Sequence, residues 1–144
     1  MRDRIISEVE FAERAFEWAR IAPARIAAVT GPGRSGAVAS VYVSHMLGVP
    51  FLPFKALGGI SNPVLIVDTA SQSGRTMRKA VSWYEQRGKE VVAHAFFNEP
   101  PRVRFWYETR RLLGLREYEP LAEGVGVGLQ NRLDNFRNPL KTLA

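Results

Sequence analysis

The chain has 144 residues, a length that fits one compact domain, and 46% of them are hydrophobic, which is enough for a buried core. The sequence has no cysteine and two histidines, which excludes disulfides, thiolate metal sites and a cysteine nucleophile and argues against a multi-histidine metal site. The formal net charge is +6, and the excess of arginine over lysine indicates an anionic partner, either nucleic acid or a small phosphorylated ligand.

The first part of the chain predicts alternating helices and strands. Residues 4–21 carry apolar side chains at helical spacing, which predicts an amphipathic helix. The apolar run RIAAVT at 25–30 has the length of a strand, and the glycine-rich GPGRSG at 31–36 follows it as a loop. Residues 37–47 predict a second helix, and residues 49–54 predict a second strand whose two prolines suit the edge of a sheet.

The same alternation continues after residue 62. PVLIVD at 63–68 is apolar up to its last residue, as expected of a strand that is buried on both faces. The polar turn TASQSGR at 69–75 follows it, and residues 76–88 predict a helix that ends at a glycine. Residues 89–97 predict a further strand, and residues 103–108 predict a last one.

This order of elements predicts an α/β fold with a parallel sheet, because strands that alternate with helices are joined by right-handed crossovers. In such sheets ligands bind beyond the carboxyl ends of the strands. The loops 31–36 and 69–76 each follow a strand and open a helix, so we expect them to share one edge of the sheet. No apolar stretch approaches the roughly 20 residues of a membrane span, and the acidic N-terminal segment is unlike a secretory signal, so we expect a cytoplasmic protein.

The loop after Asp68 has the composition of a phosphate site. Small hydroxyl residues and a glycine lead from the tip of an apolar strand into a helix. The amide groups at a helix N-terminus attract anions, and the hydroxyls of Ser71, Ser73 and Thr76 add donors beside the accessible backbone of Gly74. Because Asp68 repels a phosphate but accepts hydrogen bonds from sugar hydroxyls, the pattern predicts a ribose 5-phosphate as the ligand.

The segment VLIVDTASQSGRTM at 64–77 resembles the 5-phosphoribosyl-1-pyrophosphate (PRPP) motif of type I phosphoribosyltransferases, in which a strand and two acids precede Ser/Thr-Gly-x-Thr. GPGRSG resembles the Gly-x-x-Arg-x-Gly pattern of the family's pyrophosphate loop. The resemblance implies a Rossmann-like core with helices on both faces of the sheet and a small variable hood built from the chain ends. It further implies one domain at 1–119, a tail or arm at 120–144 that joins the hood or a subunit contact, and a homodimer.

The reaction that the resemblance implies is transfer of the 5-phosphoribosyl group from PRPP to a nitrogen acceptor, a nucleobase, with release of pyrophosphate. Mg²⁺ accompanies PRPP in this family. Such a pentosyl transfer passes through an electron-poor ribose and depends on positioning and charge stabilisation, with no covalent nucleophile.

The resemblance also assigns roles to individual residues. Asp68 and Thr69 take the catalytic positions, and Asp68 would reach Mg²⁺ through PRPP and water. The implied 5-phosphate residues are Ala70, Ser71, Gln72, Ser73, Gly74, Arg75 and Thr76. The implied pyrophosphate residues are Gly33, Arg34, Ser35 and Gly36. The aromatic residues expected to stack on the base are Trp106 and Tyr107.

Two departures from the family pattern support an alternative, a catalytically weak regulator of the same fold that binds PRPP or a nucleotide. The family's second acid is replaced by Thr69, which brings no negative charge to a developing cation. The loop that would close over the substrate has only eight residues, Lys55 to Asn62, so it makes a small lid that excludes water poorly.

Two further alternatives remain. GPGRSG is also a literal G-x-G-x-x-G, which favours a dinucleotide site, and Lys55 near the end of the predicted second strand would suit the 2′-phosphate of NADP. The second alternative is a basic nucleic-acid-binding protein, in which arginines interleave with the aromatic residues that follow residue 102. The arginines of this pattern are Arg102, Arg104, Arg110, Arg111 and Arg116.

Overall fold

The computed structural model describes residues 4–71, 73–98 and 103–108. The chain divides into two units after Trp106, so the described part belongs to the first unit except for Tyr107 and Glu108. The predicted domain boundary after residue 119 and the predicted tail at 120–144 lie outside the described residues. In the described part, every helix is too short or too polar to cross a bilayer.

Five strands and three helices alternate along the described chain. In order they are β1 (Arg4–Ile6), α1 (Glu8–Ile21), β2 (Ala28–Thr30), α2 (Gly33–Leu47), β3 (Val64–Ala70), α3 (Arg75–Glu85), β4 (Val91–Phe97) and β5 (Val103–Phe105). Strands β2, β3 and β4 form a parallel sheet in that order, and β1 pairs with β5 in a separate parallel pair. The predicted parallel α/β architecture is therefore confirmed.

Strand β3 lies at the centre of the larger sheet. Residues Val64 to Val67 are all fully buried, because β2 and β4 cover the two edges of the strand and helices cover its faces. Val64 and Ile66 pack against Ala80 and Tyr84 of α3. The alternate side chains of β3 point to the opposite face, on the side of α2. The continuous apolar run that predicted a strand buried on both faces is thus explained by the packing.

The chain enters α1 later than the helical periodicity predicted. The Ser7 side-chain oxygen accepts a hydrogen bond from the backbone N–H of Glu10 at 3.1 Å, which caps the helix and fixes its start at Glu8. Residues Arg4–Ile6 are consequently outside the helix and pair in parallel with Val103–Phe105. The prediction of one helix over 4–21 is wrong for these three residues, and the predicted last strand at 103–108 ends at Phe105.

The predicted strand at 49–54 is reduced to a single bridge. Val29 donates its N–H to the Pro50 carbonyl, and Leu52 donates to the Val29 carbonyl, both at 2.9 Å, around the parallel bridge between Val29 and Phe51. Prolines at 50 and 53 have no N–H to extend the pairing, so the segment runs along the edge of β2 without forming a strand.

The loop from Lys55 to Asn62 is anchored at the end of α3 that is remote from Gly74. The backbone N–H of Lys55 donates to the buried Tyr84 hydroxyl at 2.9 Å. The Lys89 ammonium donates to the Ile60 carbonyl at 2.7 Å. The loop predicted to act as a lid is therefore tied to Tyr84 and Lys89, and the Lys55 ammonium lies 5.6 Å from the ring centre of Trp83 in the same half of the helix.

Replacing Tyr84 with Phe is expected to lower the free energy of unfolding by about 1–2 kcal/mol, because the Lys55 N–H loses its hydrogen-bond acceptor while the ring still fills the core. Chemical denaturation of both proteins measures this difference. The exposed Tyr42 hydroxyl, which donates to Glu8, offers a control: Tyr42→Phe should change the free energy of unfolding by less than about 0.5 kcal/mol.

Candidate functional site

The two loops singled out in the sequence emerge at the same edge of the sheet. Strands β2 and β3 are parallel, with Thr30 paired to Ile66, so both run toward this edge. The turn after β2 leads into α2 at Gly33, and the turn after β3 leads into α3 at Arg75. The prediction that the two loops share the carboxyl edge of the sheet is confirmed.

A cavity of about 280 Å³ lies at the end of β3. It is bounded by the strand tip on one side and by the first turn of α3 on the other. Its lining residues are Asp68, Ala70, Ser71, Ser73, Gly74, Arg75, Thr76 and Met77. The structure thus brings together the predicted 5-phosphate residues other than Gln72, which lies outside the described residues.

The N-terminus of α3 supplies the donors of this cavity. Gly74 has a left-handed backbone (φ 76°), and the first helical hydrogen bond runs from the Arg78 N–H to the Gly74 carbonyl at 2.9 Å. The backbone amides that precede Arg78 in this turn therefore have no acceptor within the helix. These amides and the positive end of the helix dipole lie at the end of the cavity. The Ser73 side-chain oxygen accepts the Arg75 N–H at 3.3 Å, which completes the turn.

Arg78 braces the same turn, although the sequence pattern did not single it out. Its guanidinium donates to the Ser73 carbonyl at 3.0 Å. It also lies over Gly74, where an added Cβ would come within 2.9 Å of an Arg78 nitrogen. The signal for this residue was its spacing: a side chain four positions after the glycine N-cap lies one helical turn above it.

Asp68 holds the only carboxylate among the described residues that line the cavity. Its Oδ1 accepts the Thr69 N–H at 2.8 Å. Burial raises the pKa of Asp68 from 3.8 to about 6, and the hydrogen bond from Thr69 partly opposes this shift. A carboxylate in this position can accept hydrogen bonds from hydroxyl groups of a ligand, and it is mainly ionised only above pH 6.

Thr69 does not take the catalytic place predicted for it. The side chain is only 2% exposed and is absent from the cavity lining, because successive side chains of a strand point to opposite faces. Asp68 faces the cavity, so Thr69 faces the other side of the sheet. This arrangement disagrees with the prediction that Thr69 takes a catalytic position. The alternation of side chains along a strand was the signal that could have excluded Thr69.

The predicted pyrophosphate loop is largely the first turn of α2. The helix begins at Gly33 instead of residue 37, and the Gly36 N–H donates to the Pro32 carbonyl at 3.0 Å. A Cβ on Gly31 would lie 2.3 Å from the Gly36 carbonyl oxygen and 2.4 Å from that of Val67. Gly31 and Gly36 therefore permit close packing of the turn on β3, and the buried Gly36 amide is used within the helix.

The remaining predicted pyrophosphate residues lie at the surface of that turn. The Arg34 side chain is exposed, Gly33 is exposed with a left-handed backbone (φ 65°), and Ser35 is half-buried. Pyrophosphate binding by Gly33, Arg34 and Ser35 stays a prediction. Gly36 has a structural role, because it packs closely against Gly31.

The predicted base-stacking residue Trp106 is engaged in an aromatic cluster. Its ring centre lies 5.6 Å from that of Phe11 and 6.1 Å from that of Tyr42, and its backbone N–H donates to the Ile6 carbonyl at 3.0 Å. These contacts favour core packing over base stacking for Trp106. Tyr107 is the first residue of the second unit and is half-buried.

Among its described lining residues, the cavity offers Mg²⁺ a single carboxylate ligand, that of Asp68. No group of three acidic or histidine side chains that could enclose a metal occurs within residues 4–71, 73–98 and 103–108. Mg²⁺ in phosphate sites is commonly held by one or two carboxylates together with the phosphate oxygens of the ligand. Asp68 alone therefore fits an ion that arrives with a diphosphate, and it does not fit a cage made of protein groups.

No family model and no curated protein matches this sequence. Solved structures do match the fold. A xanthine-guanine-hypoxanthine phosphoribosyltransferase from Helicobacter pylori is 13% identical with a TM-score of 0.63, and the match covers 78% of this chain and 97% of that protein. A purine phosphoribosyltransferase from Pyrococcus horikoshii Ot3 is 19% identical with a TM-score of 0.59, and the match covers 85% and 99%.

A third structure with this fold was solved with a nucleotide. It is a hypothetical protein from Neisseria gonorrhoeae with bound ppGpp, 12% identical with a TM-score of 0.55, and the match covers 75% of this chain and 91% of that protein. Sequence identities this low compare folds alone. The three structural matches, together with the parallel sheet and the two strand-to-helix turns at its carboxyl edge, establish that this chain has the phosphoribosyltransferase fold.

Proposed function

We propose that the cavity at the end of β3 binds the ribose 5-phosphate part of PRPP and that the protein is a phosphoribosyltransferase. In this proposal the 5-phosphoribosyl group passes to a nitrogen acceptor, a nucleobase, and pyrophosphate leaves. The observation that carries the proposal is the cavity itself, in which the Asp68 carboxylate faces the donor-rich N-terminus of α3. A ligand with a sugar diol at one end and a phosphate at the other matches this distribution of charge.

Each part of the cavity has a distinct task in the proposed reaction. The hydroxyls of Ser71, Ser73 and Thr76 and the α3 amides hold the 5-phosphate, which fixes the ribose above Asp68. The ionised Asp68 accepts hydrogen bonds from the sugar hydroxyls and stabilises the positive charge that develops on the ring. Arg34 at the first turn of α2 would bind the leaving pyrophosphate, and Mg²⁺ bound with PRPP would neutralise part of its charge.

A second candidate is a regulator of the same fold that binds a phosphorylated nucleotide and turns over weakly. Three observations favour it. The fold occurs in a protein solved with ppGpp, a nucleotide with two diphosphate groups. The position of the family's second acid holds a buried Thr69. The loop that would close over the site is anchored to Tyr84 and Lys89. Dimerisation remains a prediction for either candidate.

Calorimetric titration with PRPP, ribose 5-phosphate and ribose tests the cavity directly. We expect the two phosphorylated ligands to bind and ribose to bind far more weakly. Thr76→Val removes one hydroxyl donor and should weaken both phosphorylated ligands by roughly tenfold, since a hydrogen bond to a charged group contributes about 1.5–3 kcal/mol. Ser82→Ala removes an exposed hydroxyl two turns further along α3 and should leave both affinities unchanged. Failure of both phosphorylated ligands to bind would refute the proposal.

Pyrophosphate release separates the two candidate functions. Purine and pyrimidine bases are added one at a time with PRPP and Mg²⁺, and released pyrophosphate is measured. Release with one base and not with the others supports the transferase. PRPP or ppGpp binding with no release above the rate without a base supports the regulator.

A further inference from the structure

Several exposed cations cluster along the outer side of α3, and the proposed reaction uses only some of them. We call this surface the basic face of α3. All of its members are exposed, and they are Arg75, Arg78, Lys79, Ser82, Gln86 and Arg87. Between Arg75 and Arg87 the sequence has a single acid, Glu85, so this segment has a net charge of +3. At 1.5 Å per residue the helical part, Arg75–Glu85, extends over roughly 16 Å, and Gln86 and Arg87 follow its end.

One end of this face has a flat, charged platform. The Arg87 guanidinium lies 3.8 Å from the ring centre of Trp83 and donates to the Trp83 carbonyl at 2.8 Å, so it lies against the indole. The Lys55 ammonium is 5.6 Å from the same ring centre. A guanidinium held over an aromatic ring is a surface on which a nucleobase can stack, while its charge attracts phosphate.

We propose that the basic face of α3 binds the backbone of a single-stranded nucleic acid. Charge complementarity supports this occupant. Arg75, Arg78 and Lys79 are exposed on α3 and Arg87 is exposed just after its end, with the donors Ser82 and Gln86 between them. None of the described large hydrophobic side chains that are exposed lies on α3. A protein interface core and a membrane-inserted helix both use such side chains, so these two occupants fit the face less well, and the vesicle measurement below tests attraction to a membrane by charge alone.

The face adjoins the cavity but is separable from it. Arg75 lines the cavity and Arg78 braces its turn, so both belong to the candidate site and stay intact in the test. Lys79 lies further along the helix, Arg87 lies two residues after the helix ends, and neither is among the cavity residues. Binding of nucleic acid and binding of PRPP can therefore succeed or fail independently.

Fluorescence anisotropy with labelled 20-nucleotide oligo-dT and oligo-U, measured over a series of salt concentrations, tests the proposal. The double variant Lys79→Gln, Arg87→Gln should bind about tenfold more weakly at low salt. The slope of log affinity against log salt should fall by up to about 1.4, the value for two lost single-strand phosphate contacts. The matched control, Arg20→Gln with Arg25→Gln, removes the same charge from exposed residues elsewhere and should keep the wild-type slope.

Three outcomes would overturn the proposal. The first is no oligonucleotide binding at 50 mM salt. The second is an equal loss in both double variants, which would reduce the effect to net charge. The third is binding to vesicles with 30% anionic lipid without binding to oligonucleotides. PRPP affinity, measured on the same preparations, should be unchanged in both double variants and reports whether the fold is intact.

Discussion

Asp68→Asn is expected to make the unliganded protein more stable above pH 6 while it weakens PRPP binding by tenfold or more. The substitution keeps the size of the side chain, and the amide oxygen can still accept the Thr69 N–H. The two expected effects have opposite signs because the half-buried carboxylate is unfavourable for folding and favourable for a ligand that supplies hydroxyl groups.

The pH dependence follows from the raised pKa of Asp68. The group ionises at about 6 in the folded protein and near 3.8 in the unfolded chain. The folded state therefore binds more protons between these values, and stability is lost as the pH rises from about 4 to 6. A shift of this size corresponds to about 2–3 kcal/mol above pH 6. Asp68→Asn should recover this amount at pH 7.5, a rise in Tm of about 5 °C or more, and should show little gain at pH 4.

The ligand side of this prediction has the opposite pH dependence. Wild-type affinity for PRPP should rise as the pH passes through 6, since ionised Asp68 accepts hydrogen bonds from the sugar more strongly. The phosphate groups of PRPP also lose protons near pH 6, so the Asn variant should keep a weaker pH dependence than the wild type, and the difference between the two reports Asp68. Glu13→Gln removes an exposed carboxylate on α1 and serves as the control for both measurements. Unchanged PRPP affinity in Asp68→Asn, with normal folding, would remove Asp68 from the site.

The centre of the fold could be predicted because its signals are local. Val64 to Val67 form an unbroken apolar run, and the structure buries them between two strands and two layers of helices. Asp68 and Gly74 could be assigned from order along the chain, since a polar turn between a buried strand and a helix must lie at the carboxyl edge. Local order therefore predicted most of the cavity.

Other features depend on contacts that the local pattern does not contain. Glycines at 33 and 36 lower helix propensity, so the start of α2 was placed too late. The tight packing of Gly36 against Gly31 compensates for that low propensity. The strand pairing of Arg4–Ile6 depends on residues about a hundred positions away. The aromatic contacts of Trp106 with Phe11 are equally distant in sequence. Arg78, which braces the phosphate turn, shows its role only through the geometry of the helix.

Gly31→Ala is expected to lower the free energy of unfolding by about 3 kcal/mol or more, at the upper end for an overpacked site. The added Cβ would stand 2.3 Å from the Gly36 carbonyl oxygen and 2.4 Å from the Val67 carbonyl oxygen. Both neighbours are backbone atoms, so a change of rotamer cannot relieve the contact. The first turn of α2 must then move away from Val67, the residue that directly precedes Asp68 on β3. This movement should disturb the candidate site, so PRPP binding should weaken as well. Denaturant unfolding and PRPP titration measure the two effects.

Gly58→Ala is the matched comparison, since it adds the same methyl group where no atom lies within 4 Å. Neither Gly31 nor Gly58 has the left-handed backbone that strains alanine, so backbone strain does not distinguish the two substitutions, whereas the space around the added methyl group does. Gly58→Ala should leave stability unchanged or raise it by up to about 1 kcal/mol, because alanine restricts the unfolded chain. If Gly31→Ala were tolerated as well as Gly58→Ala, the close approach of α2 to β3 would be wrong. The position of Arg34 relative to Asp68 would then have to be revised, because that approach is what brings the two turns together at one edge of the sheet.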